Sequence, residues 1–529
     1  MAASTDGRRS LRSLIFFAAM VPWPVWSGSL GFTDVTASAG AASTHGLAFG
    51  PYGEPDMMSG GVAAGDVDGD GWVDLLVLRG DLGPARLLRN LGNGQFADEA
   101  AARGLQISGG LANGALLADI DGDGDLDAVT GGLYIADAGY SSPPRMWRND
   151  GAGQFAEVTP FLPGWDGHDS WSVAQGDADG DGDLDLAWGR WATGTGARTH
   201  LYRWQGGGFV AADTAAGLAG HFTARDHSFT PNFADIDDDG DADLLYTGDF
   251  GSSRVLRNDA GVYANITGPA ITDENGMGAA VADYDNDGDL DWFVSSIHDP
   301  GVPAGNWGTS GNRLYRNDGQ GGFSDVTSAA GVREAGWGWG SCFADFNLDG
   351  WLDLYMVNGM LGPLAAIFNQ DPARLFLSNR DGSFSEQAQA HGVADTGQGR
   401  GLVCFDYDRD GDVDIYAQNG YGAARLYRND LAGGHSLTLR LRGRTPNPSA
   451  IGARVWLTTA AGTQMREVSA GNAFLSAGPA EMVFGLGNGN RIERLRVRWP
   501  DGRESACGHR HAQRQRVIDA DTLFDEGLE

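Results

Sequence analysis

Cysteine is scarce in this sequence: the 529 residues include only three, Cys342, Cys404 and Cys507. An odd and sparse set argues against the framework of disulfide bonds that holds many small secreted domains together. Cys342 and Cys404 each lie at the end of an apolar stretch that leads into an acidic segment. We therefore interpret both as buried, small apolar residues.

Positive charge is also in short supply. Lysine and arginine together number 37 against 70 acidic residues, so the formal net charge is −33. Nucleic acid and anionic membrane surfaces repel such a chain, and we expect neither as a partner. The 83 glycines, without a collagen period and beside 42% hydrophobic residues, indicate a turn-rich β protein instead of a disordered one.

The apolar run near the N-terminus is too short to span a bilayer. It extends from Leu14 to Trp26 and contains Pro22 and Pro24, whereas a spanning helix needs about 20 apolar residues. The arginine-rich segment GRRSLR precedes the run and small residues follow it, which is the order of an export signal. We predict that residues 1–29 are a signal peptide, that the chain has no membrane span, and that the mature protein is secreted, periplasmic or at the cell surface.

The acidic residues are concentrated in seven nine-residue segments whose starts lie 48 to 62 residues apart. These segments hold 33 aspartates, nearly half of the 70 acidic residues, and each has glycine at position 6. Unscreened, four or five carboxylates within nine residues would repel one another strongly. We number them loops one to seven: DVDGDGWVD (66–74), DIDGDGDLD (119–127), DADGDGDLD (177–185), DIDDDGDAD (235–243), DYDNDGDLD (283–291), DFNLDGWLD (345–353) and DYDRDGDVD (406–414).

A second motif recurs after the acidic loops. Its pattern is R-x-x-R-N-D-G-x-G-x-F-x-x-V-T, as in RMWRNDGAGQFAEVT (145–159) and RLYRNDGQGGFSDVT (313–327). Two short alternating runs around an Asn-Asp-Gly turn are typical of a β-hairpin. Each repeat therefore has one strand before the acidic loop, one after it, and a hairpin of two more. Seven such units predict an all-β fold, a seven-bladed β-propeller followed by a small all-β domain.

The two ends of the repeat array complement each other. The seventh hairpin, RLYRND (425–430), lacks its second strand, and the unattached segment GFTDVT (31–36) has the sequence of that strand. We predict that residues 31–36 close the last blade of a propeller spanning residues 31–430, which removes an exposed sheet edge. After residue 430 arginine-rich alternating strands replace the acidic loops, so we assign residues 434–529 to a sandwich-like β domain.

The acidic loops have the ligand types that Ca²⁺ prefers, since hard oxygen donors at alternate positions and a tight glycine turn suit its six to eight ligands. No loop contains a thiolate or an imidazole, which disfavours zinc and copper. An EF-hand would need glutamate at position 12, where the seven loops have Val, Thr, Trp, Tyr, Val, Met and Ala. We predict up to seven Ca²⁺ ions, with the weakest loop at Asn347, which replaces an aspartate.

The predicted ligands are the acidic or amide residues of the seven loops. They are Asp66, Asp68, Asp70 and Asp74; Asp119, Asp121, Asp123, Asp125 and Asp127; Asp177, Asp179, Asp181, Asp183 and Asp185; Asp235, Asp237, Asp239, Asp241 and Asp243; Asp283, Asp285, Asp287, Asp289 and Asp291; Asp345, Asn347, Asp349 and Asp353; and Asp406, Asp408, Asp410, Asp412 and Asp414.

Taken together, the loops and hairpins resemble the FG-GAP/VCBS repeats of integrin α-type propellers. The segments AIGARVWL (450–457), QMREVSAGNAFLSAGP (464–479) and VRWPDG (497–502) are similar to the ASPIC/UnbV domain. The combination resembles the cartilage acidic protein family and its bacterial relatives, although AGNAFLSAG (470–478) stands where GSGYLSQ is commoner. This resemblance implies a secreted, calcium-binding propeller with no established enzymatic role.

Strand order places the acidic loops on the same face as the Asn-Asp-Gly turns, and connections of variable length on the opposite face. Insertions on one face of a repeat protein commonly mark its binding face. We predict a monomeric scaffold for an extracellular protein or glycan. The alternative is a lyase-type enzyme acting on polysaccharides, in which histidine and arginine on that face supply acid–base chemistry. The candidate ligand-binding residues are His168, Trp171, His227, Trp337, Trp339 and Arg400. The alternative for the tryptophans is that they plug the central channel and pack between blades.

Overall fold

The structure is a computed structural model, and it describes residues 29–46, 57–108, 111–135, 140–162, 165, 167–191, 199–222, 226–299, 301, 310–471, 473–511 and 515–519. The predicted signal peptide lies almost entirely outside these residues. Among the helices within these ranges, none has the length and apolar character needed to cross a membrane.

Seven four-stranded antiparallel units make up the larger part of the chain, so the predicted β-propeller is confirmed. We letter the strands of each blade A to D, from the strand before the acidic loop outwards. In chain order the A and B strands are Val62–Gly65 and Asp74–Val77, Ala112–Ala118 and Asp127–Gly132, Val173–Gly176 and Asp185–Trp188, Ser228–Ala234 and Asp243–Gly248, Ala279–Ala282 and Asp291–Val294, Gly338–Ala344 and Asp353–Asn358, and Gly399–Phe405 and Asp414–Asn419.

The C and D strands form the predicted hairpins. They are Arg86–Asn90 and Phe96–Asp98, Arg145–Asn149 and Phe155–Val158, Leu201–Trp204 and Phe209–Ala211, Arg254–Asp259 and Val262–Asn265, Arg313–Asn317 and Phe323–Asp325, and Arg374–Ser378 and Phe384–Glu386. The seventh blade has Arg425–Asn429 as strand C and Phe32–Asp34 as strand D, with Phe32 opposite Asn429 and Asp34 opposite Tyr427.

The ring is closed by the A strands, each of which contacts the A strands of both neighbouring blades. This crowding near the axis explains why these strands are rich in alanine and glycine. Gly114, for example, adopts φ 67° at a bulge, and a side chain there would collide with the carbonyl of Trp171 on the next blade. Small residues are therefore a requirement of ring closure.

The C-terminal part forms two more sheets. One contains Glu481–Gly487, His435–Arg442 and Gln515–Asp519, and the other Gly462–Glu467, Arg454–Thr459, Arg491–Arg498 and Glu504–His511. Helical structure among the described residues includes the α-helical turns Thr327–Ala330 and Ala388–His391 and the 3₁₀ segments Leu218–Gly220 and Pro363–Phe368. Short strand pairs join Thr44–His45 to Gly422–Ala423 and Tyr134–Ile135 to Tyr140–Ser141.

The interpretation of Cys342 and Cys404 as unpaired apolar residues is wrong, because they form a disulfide bond. Their Cα atoms lie 6.5 Å apart although 62 residues separate them in sequence. Cys342 is on strand A of blade six and Cys404 on strand A of blade seven. The number of cysteines did not indicate this pair. Their positions in the repeats did, because each cysteine lies two or three residues before its acidic loop, on the A strands of two neighbouring blades.

Blade three contains a buried ion pair that the sequence did not indicate. His200 lies between the carboxylates of Asp213, at 3.0 Å from its Nδ1, and Asp226, which contacts its Nε2, and the ring stacks on Phe222. Burial lowers the pKa of His200, but the two carboxylates raise it by more than burial lowers it, so the pKa is about 9. The protonated imidazole therefore joins three segments of the chain at neutral pH.

Because the pKa of His200 is higher in the folded protein than in an unfolded chain, protonation stabilises the fold. The stabilisation is complete below pH about 6.5, the unfolded value, and is lost as the pH rises through about 9. We expect chemical denaturation in excess calcium to show stability falling across this window, and His200→Gln to remove that fall. The exposed His435 provides the control variant His435→Gln, and an unchanged slope in His200→Gln would contradict the assignment.

Candidate metal centre

Each acidic loop joins strands A and B, and one bonding scheme repeats in all seven. The aspartate at position 9 begins strand B, and its carboxylate accepts two backbone N–H groups, one from position 2 of its own loop and one from strand C. In loop three these bonds reach Asp185 from Ala178 at 2.9 Å and from Trp204 at 2.8 Å. Position 9 thus fastens the loop to the sheet.

Position 1 fixes the turn itself. Its carboxylate accepts the backbone N–H of the position-6 glycine in every loop, at 2.7 to 3.2 Å. All seven glycines have φ between 90° and 100°, a conformation that other residues rarely adopt. Glycine at position 6 is therefore required by the backbone, as its presence in all seven loops suggested.

Position 3 carries the strongest indication of a bound cation. In six loops its Oδ1 atom is buried and has no hydrogen-bond partner among the described residues, at Asp68, Asp121, Asp179, Asp237, Asp285 and Asp408. The Oδ1 atoms of Asp66, Asp283 and Asp406 at position 1 are in the same situation. A buried carboxylate oxygen without a partner is strongly unfavourable, and a cation would satisfy it, so these residues fit a metal ion.

The distances between these oxygens support the same conclusion. Acidic groups whose ligand atoms lie within 4.8 Å of one another occur in loops one to five. They are Asp66, Asp68 and Asp70; Asp119, Asp121 and Asp123; Asp177, Asp179 and Asp185; Asp235, Asp237 and Asp239; and Asp283, Asp285 and Asp291. Three carboxylates at such spacing match the oxygen cage of a hard divalent cation.

The pKa values of the position-9 aspartates reflect this crowding. Burial, with a smaller effect of neighbouring carboxylates, raises the pKa of Asp74 to about 7, of Asp185 to about 8 and of Asp291 to about 9, although backbone donors oppose the change. A divalent cation acts in the opposite direction, since it stabilises the ionised carboxylates that bind it.

Loop six and the position-7 aspartates differ from this scheme. The Asn347 Oδ1 atom accepts the Asp349 N–H at 3.0 Å, and both oxygens of Asp345 also have backbone donors. At position 7, the side chains of Asp241 and Asp412 accept the backbone N–H groups of Ala260 and Leu431, just after strand C, at 2.8 and 3.3 Å, although the Asp412 Oδ1 atom is buried without a partner among the described residues. The closely spaced carboxylates of loops one to five come from positions 1, 3, 5 and 9, so a metal site there would use these positions.

Sequence reasoning missed the arginine and the asparagine of strand C. The second arginine of R-x-x-R-N pairs with the outer oxygen at position 3, as Arg89 does with Asp68 at 2.6 Å and Arg148 with Asp121 at 2.6 Å. The asparagine side chain crosses to the previous blade, where Asn149 Nδ2 donates to the Val67 carbonyl of loop one at 2.7 Å. The recurrence of R-N after five of the seven loops was the available signal.

The same asparagine bond repeats around the ring and connects neighbouring loops. It joins Asn90 to Tyr407, Asn258 to Ala178, Asn317 to Ile236 and Asn429 to Phe346, at 2.7 to 3.2 Å. Each acceptor is the carbonyl at position 2 of an acidic loop in another blade. These bonds form a belt in two parts on this face, one through the loops of blades two, one, seven and six and one through those of blades five, four and three, because Trp204 and Ser378 replace the asparagine in blades three and six.

The C-terminal sheets cover this face through arginines. Arg440 donates to Asp66 at 2.8 Å, and Arg498 donates to Asp235 and Asp238 at 2.6 and 2.7 Å. Conversely, Arg409 of loop seven forms a bidentate salt bridge with Glu481 of the C-terminal sheets, with distances of 2.6 and 2.9 Å. The face with the acidic loops is therefore an interface between the two parts of the chain.

A loop of the C-terminal part also enters the central channel. Ser476–Ala477 runs parallel to Val62–Ala63 of blade one, and the Leu475 carbonyl accepts the Ala115 N–H at 3.1 Å. Phe474 is fully buried, with ring centroids 5.5 Å from Phe229 and 5.0 Å from Trp339. This segment is AGNAFLSAG, the one that departs from the commoner family sequence, and it fills the axis of the ring.

The candidate ligand-binding residues separate into two groups. The side chains of Trp171, Trp339 and Arg400 are fully buried, and Trp337 is 8% exposed. Arg400 lies over the Trp339 ring at 4.1 Å and donates to carbonyls of Gly359 and Gly399 at 2.9 and 2.6 Å. These four residues pack the channel, because bulky side chains are needed where the blades converge.

The two histidines lie nearer the surface. His168 makes an edge contact with Tyr134 at 5.7 Å, and His227 packs between Trp191 at 5.7 Å and Phe250 at 4.8 Å. Both are partly exposed. Since Arg400 is buried, the structure does not bring together the histidine and arginine groups that the lyase alternative required.

Comparison with known families finds two matches. The sequence model of the FG-GAP-like repeat family matches residues 66–130, 133–188, 235–294, 304–356 and 364–417, together more than half of the chain. The model described as ASPIC and UnbV matches residues 443–522.

Similar individual proteins are more distant. Human cartilage acidic protein 1 is 26% identical over 527 residues, covering 89% of this chain and 74% of that protein. The mouse protein of the same name is 26% identical over 497 residues, covering 85% of this chain and 71% of its own length. Among solved structures, rhamnogalacturonan lyase YesW aligns with a TM-score of 0.39 and 14% identity over 70% of this chain and 71% of its own. That similarity is too low to bear on function.

The channel loop gives a direct test of how the two parts of the chain support each other. We expect Phe474→Ala to lower the free energy of unfolding by about 3–5 kcal/mol, because it leaves a cavity among Phe229 and Trp339. Phe250→Ala is the matched control: its ring is 58% exposed, so a change of at most about 0.5 kcal/mol is expected. Equal effects of the two substitutions in urea unfolding would refute the packing of this loop in the channel.

Proposed function

Because the chain belongs to the FG-GAP-like repeat family and carries an ASPIC and UnbV segment, we propose that it is an exported, calcium-binding β-propeller. Its role is that of an extracellular binding or adhesion scaffold for a protein or a glycan. The observation that carries the calcium assignment is the buried, unpartnered Oδ1 atom at position 3 of six loops.

Calcium is the metal that this donor set favours. The candidate ligands are oxygen atoms only, and each loop offers three or four carboxylates together with backbone carbonyls. Zinc and copper prefer imidazole and thiolate, whereas Mg²⁺ demands a nearly ideal octahedron and keeps several waters. A flexible cage of six to eight oxygens is the typical environment of Ca²⁺.

The ions act on structure and not on a reaction. A cation between positions 1, 3, 5 and 9 holds the end of strand A to the start of strand B, and the belt of asparagine bonds passes this restraint to the next blade. Neutralisation also allows the C-terminal sheets to lie on a face with so many carboxylates. The propeller is thereby a rigid support on which a recognition surface is displayed.

Export accords with the chemistry of the chain. A disulfide bond joins strands A of blades six and seven, and such bonds persist mainly in oxidising compartments outside the cytosol. Millimolar extracellular calcium also suits weak loop sites, whose dissociation constants are on the order of 0.1–1 mM. The export signal itself is inferred from sequence alone, since residues 1–28 lie outside the described ranges.

Calcium is expected to stabilise the folded chain. At a free concentration 100-fold above the dissociation constant, each site adds about 2.7 kcal/mol to the free energy of unfolding. Differential scanning calorimetry in 5 mM EDTA and then in excess calcium should therefore show a rise in Tm that magnesium reproduces only in part. An identical Tm in both solutions, with no calcium in the purified protein, would falsify the calcium assignment.

Two variants of loop three distinguish ligand positions within one site. Asp179 at position 3 has an unpartnered buried oxygen, whereas Asp183 at position 7 is not one of the closely spaced carboxylates of this loop, which are Asp177, Asp179 and Asp185. We expect Asp179→Ala to remove one calcium ion per chain in a titration followed by mass spectrometry. Asp183→Ala is the control and should retain the full number of ions. Loss of an ion from Asp183→Ala alone would mean that the ligand positions are wrongly assigned.

A further inference from the structure

A groove of about 540 Å³ separates the acidic-loop face from the edge of the C-terminal sheets. One wall contains Asp285 and Asn286 of loop five, residues 349–351 of loop six, and Arg380. The other wall contains the turns 459–463 and 485–489 and the exposed Arg491. We call this space the interdomain groove. Its volume lies in the usual range of small-molecule sites, about 300–1,000 Å³, and such sites often occur between domains.

Arg380 adopts an unfavourable backbone conformation beside this groove. Its φ is 64°, in the left-handed region, and its N–H donates to Ser378 Oγ at 3.2 Å. The same turn in blades one, two and five has glycine at the corresponding position, with φ of 69°, 79° and 73° at Gly92, Gly151 and Gly319. Glycine adopts this conformation without strain, so arginine costs local backbone energy here, as does Ala260 with φ 52° at the same position of blade four.

The Arg380 guanidinium is held in place by loop six. Its Nε and Nη2 atoms lie 3.0 and 2.9 Å from Asp349 Oδ2. Arg491 lies on the opposite wall, so two guanidinium groups line the space. Two carboxylates also line the groove, and both have cationic partners: Asp349 pairs with Arg380, and Asp285 pairs with Arg316 at 2.8 Å and is a proposed calcium ligand of loop five. Their charges are therefore compensated, and guanidinium groups match the fork of a carboxylate.

The remaining lining suits a sugar ring. Trp351 of loop six is partly buried and also lines the groove. Two planar amides are fixed nearby, as Asn286 Nδ2 donates to the Gly350 carbonyl at 3.0 Å and Gln464 Nε2 to the Gly485 carbonyl at 2.8 Å. The Asn286 Oδ1 atom is buried and accepts no hydrogen bond from the described residues. A hydroxyl donor in the groove would satisfy it.

We propose that the interdomain groove binds an acidic saccharide whose sugar units carry a carboxylate, that is, a uronic acid. The carboxylate lies between Arg380 and Arg491, the apolar face of the pyranose ring packs on Trp351, and a hydroxyl donates to Asn286 Oδ1. This inference rests on the proposed scaffold function, because it names the ligand class and depends on calcium in loop five.

The test uses the full chain in buffer with fixed free calcium. Tetrasaccharides of glucuronic, galacturonic and mannuronic acid are titrated by calorimetry and by tryptophan fluorescence, each beside its neutral glucose, galactose or mannose counterpart. We expect at least one uronic acid tetramer to bind at least tenfold more tightly than its neutral partner, and the affinity to fall when calcium is chelated.

Variants of the groove locate the binding. Arg380→Gly restores the residue that the turn favours, so it should fold without loss of Tm, yet weaken uronate binding at least tenfold. Trp351→Ala should weaken it similarly, whereas Trp72→Ala, at the same position of loop one, should leave it unchanged. Because uronates bind free calcium themselves, these paired variants separate groove binding from capture by loop calcium.

Three outcomes would overturn the proposal. They are no binding of any uronic acid tetramer, binding that Arg380→Gly and Trp351→Ala leave intact, and equal affinity for the neutral sugars. Binding of an aspartate-rich peptide in place of the saccharides would likewise reject the saccharide assignment. None of these results affects the scaffold function, which fails separately if calcium neither binds nor raises Tm.

Discussion

The architecture depends on one electrostatic constraint: seven groups of carboxylates are held close together by the backbone. The position-6 glycine and the position-9 aspartate fix each loop whether or not the charges repel, and six loops then leave a buried oxygen at position 3 without a partner. Strand-C arginines neutralise only the outer side of each cluster, as Arg148 does for Asp121. A cation would neutralise the inner side, as we propose, and would explain why the acidity is concentrated in loops instead of spread over the surface.

The same face also joins the two parts of the chain. Arg440 and Arg498 contact the position-1 aspartates of loops one and four, so these carboxylates belong both to the proposed metal sites and to a domain interface. The loop with Phe474 passes from this interface into the channel, where it completes the packing around Trp339. The acidic face therefore also holds the two parts of the chain together as one assembly, and the proposed saccharide site lies at the boundary between them.

Much of this was accessible from sequence because the repeats supply seven observations of one pattern. Loop spacing predicted the propeller, and the unattached segment at 31–36 pointed to the pairing of Phe32–Asp34 with blade seven. The disulfide, the buried Arg400 and the channel loop were not predicted, since each depends on contacts between residues far apart in sequence. Trp171, Trp337, Trp339 and Arg400 were candidate ligand contacts on the sequence alone. In the structure they pack the channel, because a closed ring of strands needs large side chains to fill its centre.

The central claim is that divalent cations occupy the acidic loops through the unpartnered oxygens. The most direct measurement is an anomalous difference map from crystals grown in calcium. The account predicts peaks in loops one to five and seven, each within about 2.6 Å of the Oδ1 atom at position 3. A map without peaks in these loops, in which ordered water or an arginine side chain contacts those oxygens instead, would contradict it.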